Sequence, residues 1–207
     1  MTPSATSTPE ERARIGPNAV LQLTEALWAR EWGALVAPMY ARAGSSDWLS
    51  TPPAAMVDER RVARLHREVR ATLPPDEARA VMADAGRRTA DYLLANRIPR
   101  FAQAALKVLP ASLAARLLVG AIRANAWTFA GSSRFTAEAG APTVFILAGN
   151  PLCAGERAAA PQCAWHAAVF QRLFQSLVAP GALAVETHCQ AAGHRCCRFV
   201  LDWRAKG

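Results

Sequence analysis

The sequence predicts an α+β fold in which a mainly helical N-terminal half packs on a four-stranded, mainly antiparallel sheet. Three observations predict it. Apolar residues recur at helical spacing through the first 125 residues, and at Trp127 the chain changes to segments rich in aromatic and β-branched residues. The C-terminal third then reads β, β, α, β, β, which two hairpins flanking one helix satisfy most economically, with helices covering one face of the sheet.

The opening MTPSATSTPEERAR is polar and rich in Pro, Ser and Thr, so residues 1–15 are expected as a flexible tail. It lacks the apolar core of a secretory signal. Residues 16–207 are expected as a single domain, mainly helical over 16–125 and hairpin-rich over 126–207. Pro17 and Asn18 start the first helix, with Val20, Leu21, Leu23, Ala26 and Leu27 as its apolar face. Val62, Leu65 and Val69 mark another, ended by Pro74 and Pro75. The arginines around it, Arg60, Arg61, Arg64, Arg67 and Arg70, read as a solvated face. A long helix follows from Asp76 to Asn96, and Pro99 and Pro110 punctuate two shorter ones reaching about Ala124.

WTFAGSSRFTAEA and PTVFILAG, from Trp127, are separated by Ala139-Gly140-Ala141-Pro142 and read as a first hairpin. QCAWHAAVFQRLFQSLV, from Gln162, has Trp165, Val169, Leu173 and Leu177 along one helical stripe. ALAVETHC and CCRFVLDW, joined by QAAGHR, read as the second hairpin, with Gly193 in its turn.

Composition narrows the function classes. Hydrophobic residues make up 52% of the 207 and charged residues 19%, which excludes disorder over most of the length. The 24 Lys+Arg against 16 Asp+Glu give a net charge of +8, so an acidic partner fits. The basic residues are spread over several helices without interleaved aromatics or a recognisable nucleic-acid motif, which argues against nucleic acid. The longest apolar candidate, FAQAALKVLPASLAARLLVGAI from Phe101, is interrupted by Lys107, Pro110 and Arg116, so no transmembrane span is expected. Peripheral membrane association is left open, as is a homodimer. Without an export signal the chain is expected in the cytoplasm, where its cysteines stay reduced.

The stretch ETHCQAAGHRCCRF, from Glu186 to Phe199, gathers three of five cysteines and two of four histidines beside a glutamate. Hairpin ends converge, so Glu186, Cys189 and Cys197 can meet, and the preceding helix can bring Cys163. Four such ligands close a tetrahedral shell, the structural arrangement of zinc. His194, Arg195 and Arg198 stand where they could offset the surplus negative charge. Buried thiols without function and a redox pair involving Cys196 remain alternatives on spacing alone. Cys196 and Cys197, being adjacent, point to opposite faces of a strand, so one of them faces the metal. Cys153 and His188 read as reserve ligands, more ordinary than coordinating.

The C-terminal half from about Trp127 resembles the 4-vinyl reductase domain. The whole chain after the tail resembles the bacteriochlorophyll-biosynthesis 4-vinyl reductase family, through RIGPNAVLQ, GRRTADYLLANRIPR, AWTFAGSSRF, NPLC and ETHCQAAGHRCCRF. The resemblance implies a fold similar to the Bet3-like and haem nitric-oxide-binding group. It also implies zinc, because in related phenol-sensing domains a Cys, Glu, Cys, Cys set at the same intervals binds it; this carries over to Cys163, Glu186, Cys189 and Cys197.

The family's name implies reduction of an 8-vinyl group on a divinyl chlorophyllide precursor. The sequence holds no nucleotide-binding motif and no iron–sulfur spacing, so whether the chain is an enzyme stays open. A tetrapyrrole is a flat apolar disc with carboxylates at one edge, which suits aromatics for its faces and arginines at a rim. Trp127, Phe129, Trp165 and Phe170 are the candidate contacts, with Arg100 at the rim beside Arg97 and Arg123; His166 is a weaker candidate for a pigment's magnesium. The resemblance thus favours a carrier that binds a porphyrin or chlorophyllide intermediate. It would pass the pigment between enzymes such as the magnesium chelatase porphyrin-binding subunit and magnesium-protoporphyrin methyltransferase. The reductase itself and an interaction adaptor are the competing readings.

Overall fold

The computed structural model describes residues 13–204. The helices are α1 (Asn18–Ala29), α2 (Gly33–Arg42), α3 (Asp47–Ser50), α4 (Glu59–Thr72), α5 (Pro75–Asn96), α6 (Arg100–Val108), α7 (Ala111–Ala124) and α8 (Ala164–Leu177). Strands β1 (Arg14–Ile15) and β2 (Val57–Asp58) form a small antiparallel pair. Strands β3 (Arg134–Glu138), β4 (Thr143–Ala148), β5 (Leu183–His188) and β6 (Cys197–Asp202) form the main sheet in the order β3-β4-β6-β5, every pair antiparallel. The predicted α+β class and the two hairpins flanking a helix are therefore what the molecule has.

Local chemistry accounts for the element ends. The Asp58 side chain accepts from Arg60 N–H at 2.8 Å and caps α4, and Pro75 starts α5 with Asp76 and Glu77 in its first turn. Pro99 and Pro110 immediately precede α6 and α7.

Two expectations need correction. Most of the tail expected over 1–15 lies outside the described residues, but Ile15 pairs with Val57 and is fully buried, so an apolar side chain pins the chain there. The first hairpin begins at Arg134 rather than Trp127. Residues Ala126–Thr128 form a 3-10 turn, because the Asn125 backbone ends α7 and Gly131 at φ 58° turns the chain.

The layers run sheet, α8, α5, α1, with α8 crossing α5 most extensively. Phe145, Phe170, Phe174 and Phe199 are fully buried between sheet and helix, and the Phe145 and Phe170 rings lie 4.5 Å apart. The crossing is close at Gly86, where a Cβ would overlap the Trp165 carbonyl. The arginines of α4 are less solvated than their pattern suggests. Arg67 Nη2 donates to the Ala154 carbonyl at 2.9 Å, Arg61 lies over the Trp48 ring at 4.1 Å, and Arg70 is largely buried. Helical periodicity marks a polar face but does not say what loop folds over it.

Candidate metal centre

Four elements bring one sulfur each to a single buried point. Cys153 lies on the 3-10 turn Pro151–Cys153 after β4, and Cys163 is the residue before α8. Cys189 follows β5, and Cys197 opens β6. All four are buried and undisulfided, and their sulfurs lie within 4.8 Å of one another. Cys153 to Cys197 and Cys163 to Cys197 are each 3.6 Å, and Cys163 to Cys189 is 3.9 Å. A tetrahedral zinc with Zn–S of about 2.3 Å would set its sulfurs about 3.8 Å apart. The donor set thus fits a metal ion of that kind.

Three of the four ligands expected from the sequence, Cys163, Cys189 and Cys197, are in this cluster, and Cys153 is the fourth sulfur. Glu186 stands beside it. Its Oε2 accepts from the Cys163 N–H at 2.7 Å, while Oε1 is buried without a partner. Burial, and next to it the charge of Cys189, push the Glu186 carboxyl up to about 9. Cys196 is half-buried and lies outside the cluster, so the register of the doubled cysteines falls on Cys197. His188 is exposed at the bulge between Glu186 and His188, its ring 4.7 Å from that of His194.

Hydrogen bonds from the neighbouring thiols, Cys153 first, hold Cys189 far below the ordinary thiol range and raise Cys163 and Cys197. One thiolate is thus stabilised by three S–H groups, the arrangement that a divalent cation would replace. Amides supply further donors. Asn150 Nδ2 lies 3.2 Å from Cys163 Sγ and 3.6 Å from Cys197 Sγ; Gln162 N–H donates to Cys189 Sγ at 3.4 Å and Gln190 N–H to Cys197 Sγ at 3.5 Å. These replace the expected charge partners. Arg195 is exposed, Arg198 bonds Thr187 Oγ1 at 3.1 Å on the other face of β6, and His194 Nδ1 meets the Cys189 backbone.

Asn150 and Arg70 are the functional residues that sequence reasoning missed. Asn150 also accepts from Leu152 N–H at 3.1 Å, capping the turn that carries Cys153, so the NPLC stretch held a usable signal. Arg70 reaches the same turn from α4. Its Nε donates to Glu156 Oε2 at 2.9 Å and its Nη2 to the Leu152 carbonyl at 2.6 Å.

The expected pigment contacts do not share one surface. Trp165 and Phe170 are core residues, and Phe129 packs on Phe170 and Phe135 at 5.7 and 5.1 Å. Trp127 is 63% exposed, and Arg100 is exposed at the start of α6. His166 is buried among Trp165, Phe129, Phe170 and Phe199 with neither ring nitrogen bonded. Open space lies elsewhere. Two adjoining clefts of about 280 and 300 Å³ run between α5, α8 and the loop before α8, sharing Arg79, Pro161 and Ala164. Arg87, Arg172 and Glu186 line the second.

The wall of this groove is fastened to the cluster. Gln162 and Cys163 make the bonds just described, and Ala158 N–H donates to the Ala191 carbonyl at 2.8 Å. A family model for the 4-vinyl reductase domain matches residues 143–202, a span that holds β4 to β6 and all four clustered cysteines. The chain is 46% identical over 188 residues to the bacteriochlorophyll synthase 23 kDa chain of Cereibacter sphaeroides, covering 91% of this chain and 90% of that one. The chain belongs to the bacteriochlorophyll synthase 23 kDa chain family. The family's Rhodobacter capsulatus protein is 39% identical over 206 residues, covering 100% of this chain and 95% of its own. The resemblance drawn from the sequence blocks therefore holds. The fold is also similar to the phenol-responsive sensory domain of the transcription activator PoxR, solved with phenol. The TM-score is 0.50 and the identity 16%, over 70% of this chain and 74% of that one.

Proposed function

We propose that this chain serves bacteriochlorophyll biosynthesis as a carrier. It binds a porphyrin or chlorophyllide intermediate and passes it between cytoplasmic enzymes of the pathway, with the magnesium chelatase porphyrin-binding subunit and the magnesium-protoporphyrin methyltransferase as partners. Its relatives' name supports the pathway. A structural zinc held by Cys153, Cys163, Cys189 and Cys197 keeps the groove wall in place. Four thiolates leave a tetrahedral ion no open position, so zinc here supplies folding energy rather than a reactive water.

The observation that carries the reading is the attachment of an arginine-bearing groove to a closed four-sulfur cluster. Arg79 forms no ion pair among the described residues, which leaves its guanidinium for a pigment carboxylate at the groove's midpoint. Pigment aromatic faces would lie against the alanine and proline surface between α5 and α8.

The test is a metal analysis and a magnesium-protoporphyrin titration on one purified sample. One zinc per chain, a saturable absorbance change, and weaker binding in Arg79→Ala are expected. X-ray absorption should show four sulfurs at about 2.3 Å; three sulfurs and one oxygen would return Glu186 to the ligand set. Conversion of divinyl to monovinyl pigment with a nicotinamide or flavin donor would favour the reductase. Absence of any pigment response would favour the adaptor.

A further inference from the structure

We infer that the α6–α7 helical hairpin is a docking surface for an anionic lipid bilayer. In α6, Phe101, Ala104, Ala105 and Val108 lie at i, i+3, i+4 and i+7, and this stripe faces solvent, with Phe101 78% and Val108 83% exposed. The opposite side of α6 is used inward: Gln103 Nε2 donates to the Leu94 and Ile98 carbonyls, and Leu106 packs against the core. In α7, Ala114, Ala115, Leu118, Val119 and Ile122 are buried, yet Leu113, Leu117, Ala121 and Ala124 form a second exposed apolar stripe. Exposed Trp127 follows directly, an amphipathic ring of the kind that sits at headgroup level.

Charge selects the occupant. No acidic residue occurs between Asp91 and Glu138, while Arg97, Arg100, Lys107, Arg116 and Arg123 all lie there. All five are exposed, and among the described residues none is in an ion pair. Two apolar stripes bordered only by cations match an anionic leaflet, whose acyl boundary takes Phe101, Val108 and Leu117 and whose headgroups take the arginines. A second copy fits poorly. A two-fold contact would set this patch against itself, cation against cation. Neither helix is long and apolar enough to cross a membrane, which is consistent with lying on the surface.

Flotation of the full chain with phosphatidylcholine vesicles, with and without phosphatidylglycerol, tests this. Binding is expected to the mixed vesicles only and to weaken as salt rises. Phe101→Glu with Val108→Glu should abolish it, and Lys107→Ala with Arg116→Ala should weaken it by on the order of tenfold. Leu183→Ser with Val185→Ser, on the exposed face of β5, should leave it intact. Unchanged melting shows that the variants fold, since every substituted side chain is exposed. Equal partition to neutral vesicles, no flotation, or flotation unaffected by the Phe101 variant overturns the inference. So does concentration-dependent self-association, or capture of an acidic protein, that replaces lipid binding and is lost in that variant. Pigment binding in the groove is read separately on the same samples.

Discussion

Arg70 and Glu156 close a two-pronged ion pair across the gap between α4 and the loop that carries Cys153, with side chains only 10% and 13% exposed. A helix of the N-terminal half thereby holds a ligand of the C-terminal cluster in register. Arg70→Lys loses the fork geometry. Zinc affinity, measured by chelator competition, is expected to fall about tenfold to a hundredfold, as for other supports behind a ligand. Glu156→Gln should act in the same direction. An unchanged chelator titration would show that Cys153 holds its place without the pair.

Removing the metal should lower stability, because the four sulfurs meet only in the folded chain. At free zinc a thousandfold above Kd the stabilisation is about 4 kcal/mol. Cys189→Ser and Cys197→Ser should lose the bound metal and most of the corresponding rise in melting temperature. Cys196→Ser, outside the cluster, should melt like the parent in calorimetry.

Gly86→Ala should be destabilising by about 1–3 kcal/mol, although alanine is the better helix former. The added methyl would meet the Trp165 carbonyl and the Ala168 Cβ across the α5–α8 crossing. Urea midpoints at constant m-value measure the change.

Acid should destabilise the protein before its carboxylates titrate. Burial pushes His66 down to about 3 and His166 to about 4 from 6.5, Arg70 adding to the effect on His66. Below about pH 6.5 the unfolded chain takes up protons that the native chain refuses. Their neutral burial therefore supports the fold fully above that pH, and the support is lost as pH falls towards 4, at about 1.4 kcal/mol per group per pH unit. His66 must stay neutral to donate from Nε2 to the Ala19 carbonyl at 2.8 Å without a buried charge. His166→Phe, placed among Phe129, Phe170 and Phe199, should flatten the pH profile relative to the parent. Comparing the two cancels the metal loss that both suffer in acid.

The sequence made the architecture legible where one residue pattern settles one element. The Trp165–Leu177 stripe and the turns at Gly140 and Gly193 gave α8 and both hairpins. Cys163, Cys189 and Cys197 were legible as a group because a hairpin and the helix before it bring their ends together. Cys153 was not, since its turn is folded back by Arg70, whose partner lies 86 residues away. The aromatic candidates failed for a related reason: Trp165 and Phe170 carry the same signal whether they line a pocket or fill a core. Gly86 gave no hint of the close helix crossing, because only the neighbouring element shows why its side chain is missing.

The strand order has a consequence for biogenesis. β6 is the last of these strands to be synthesised, yet it lies between β4 and β5 and carries Cys197. Until it leaves the ribosome, β4 presents an unpaired edge, β5 has no neighbour, and three sulfurs wait for the fourth. The nascent chain must therefore be shielded through nearly all of translation, and sheet closure and metal capture come together in one late step.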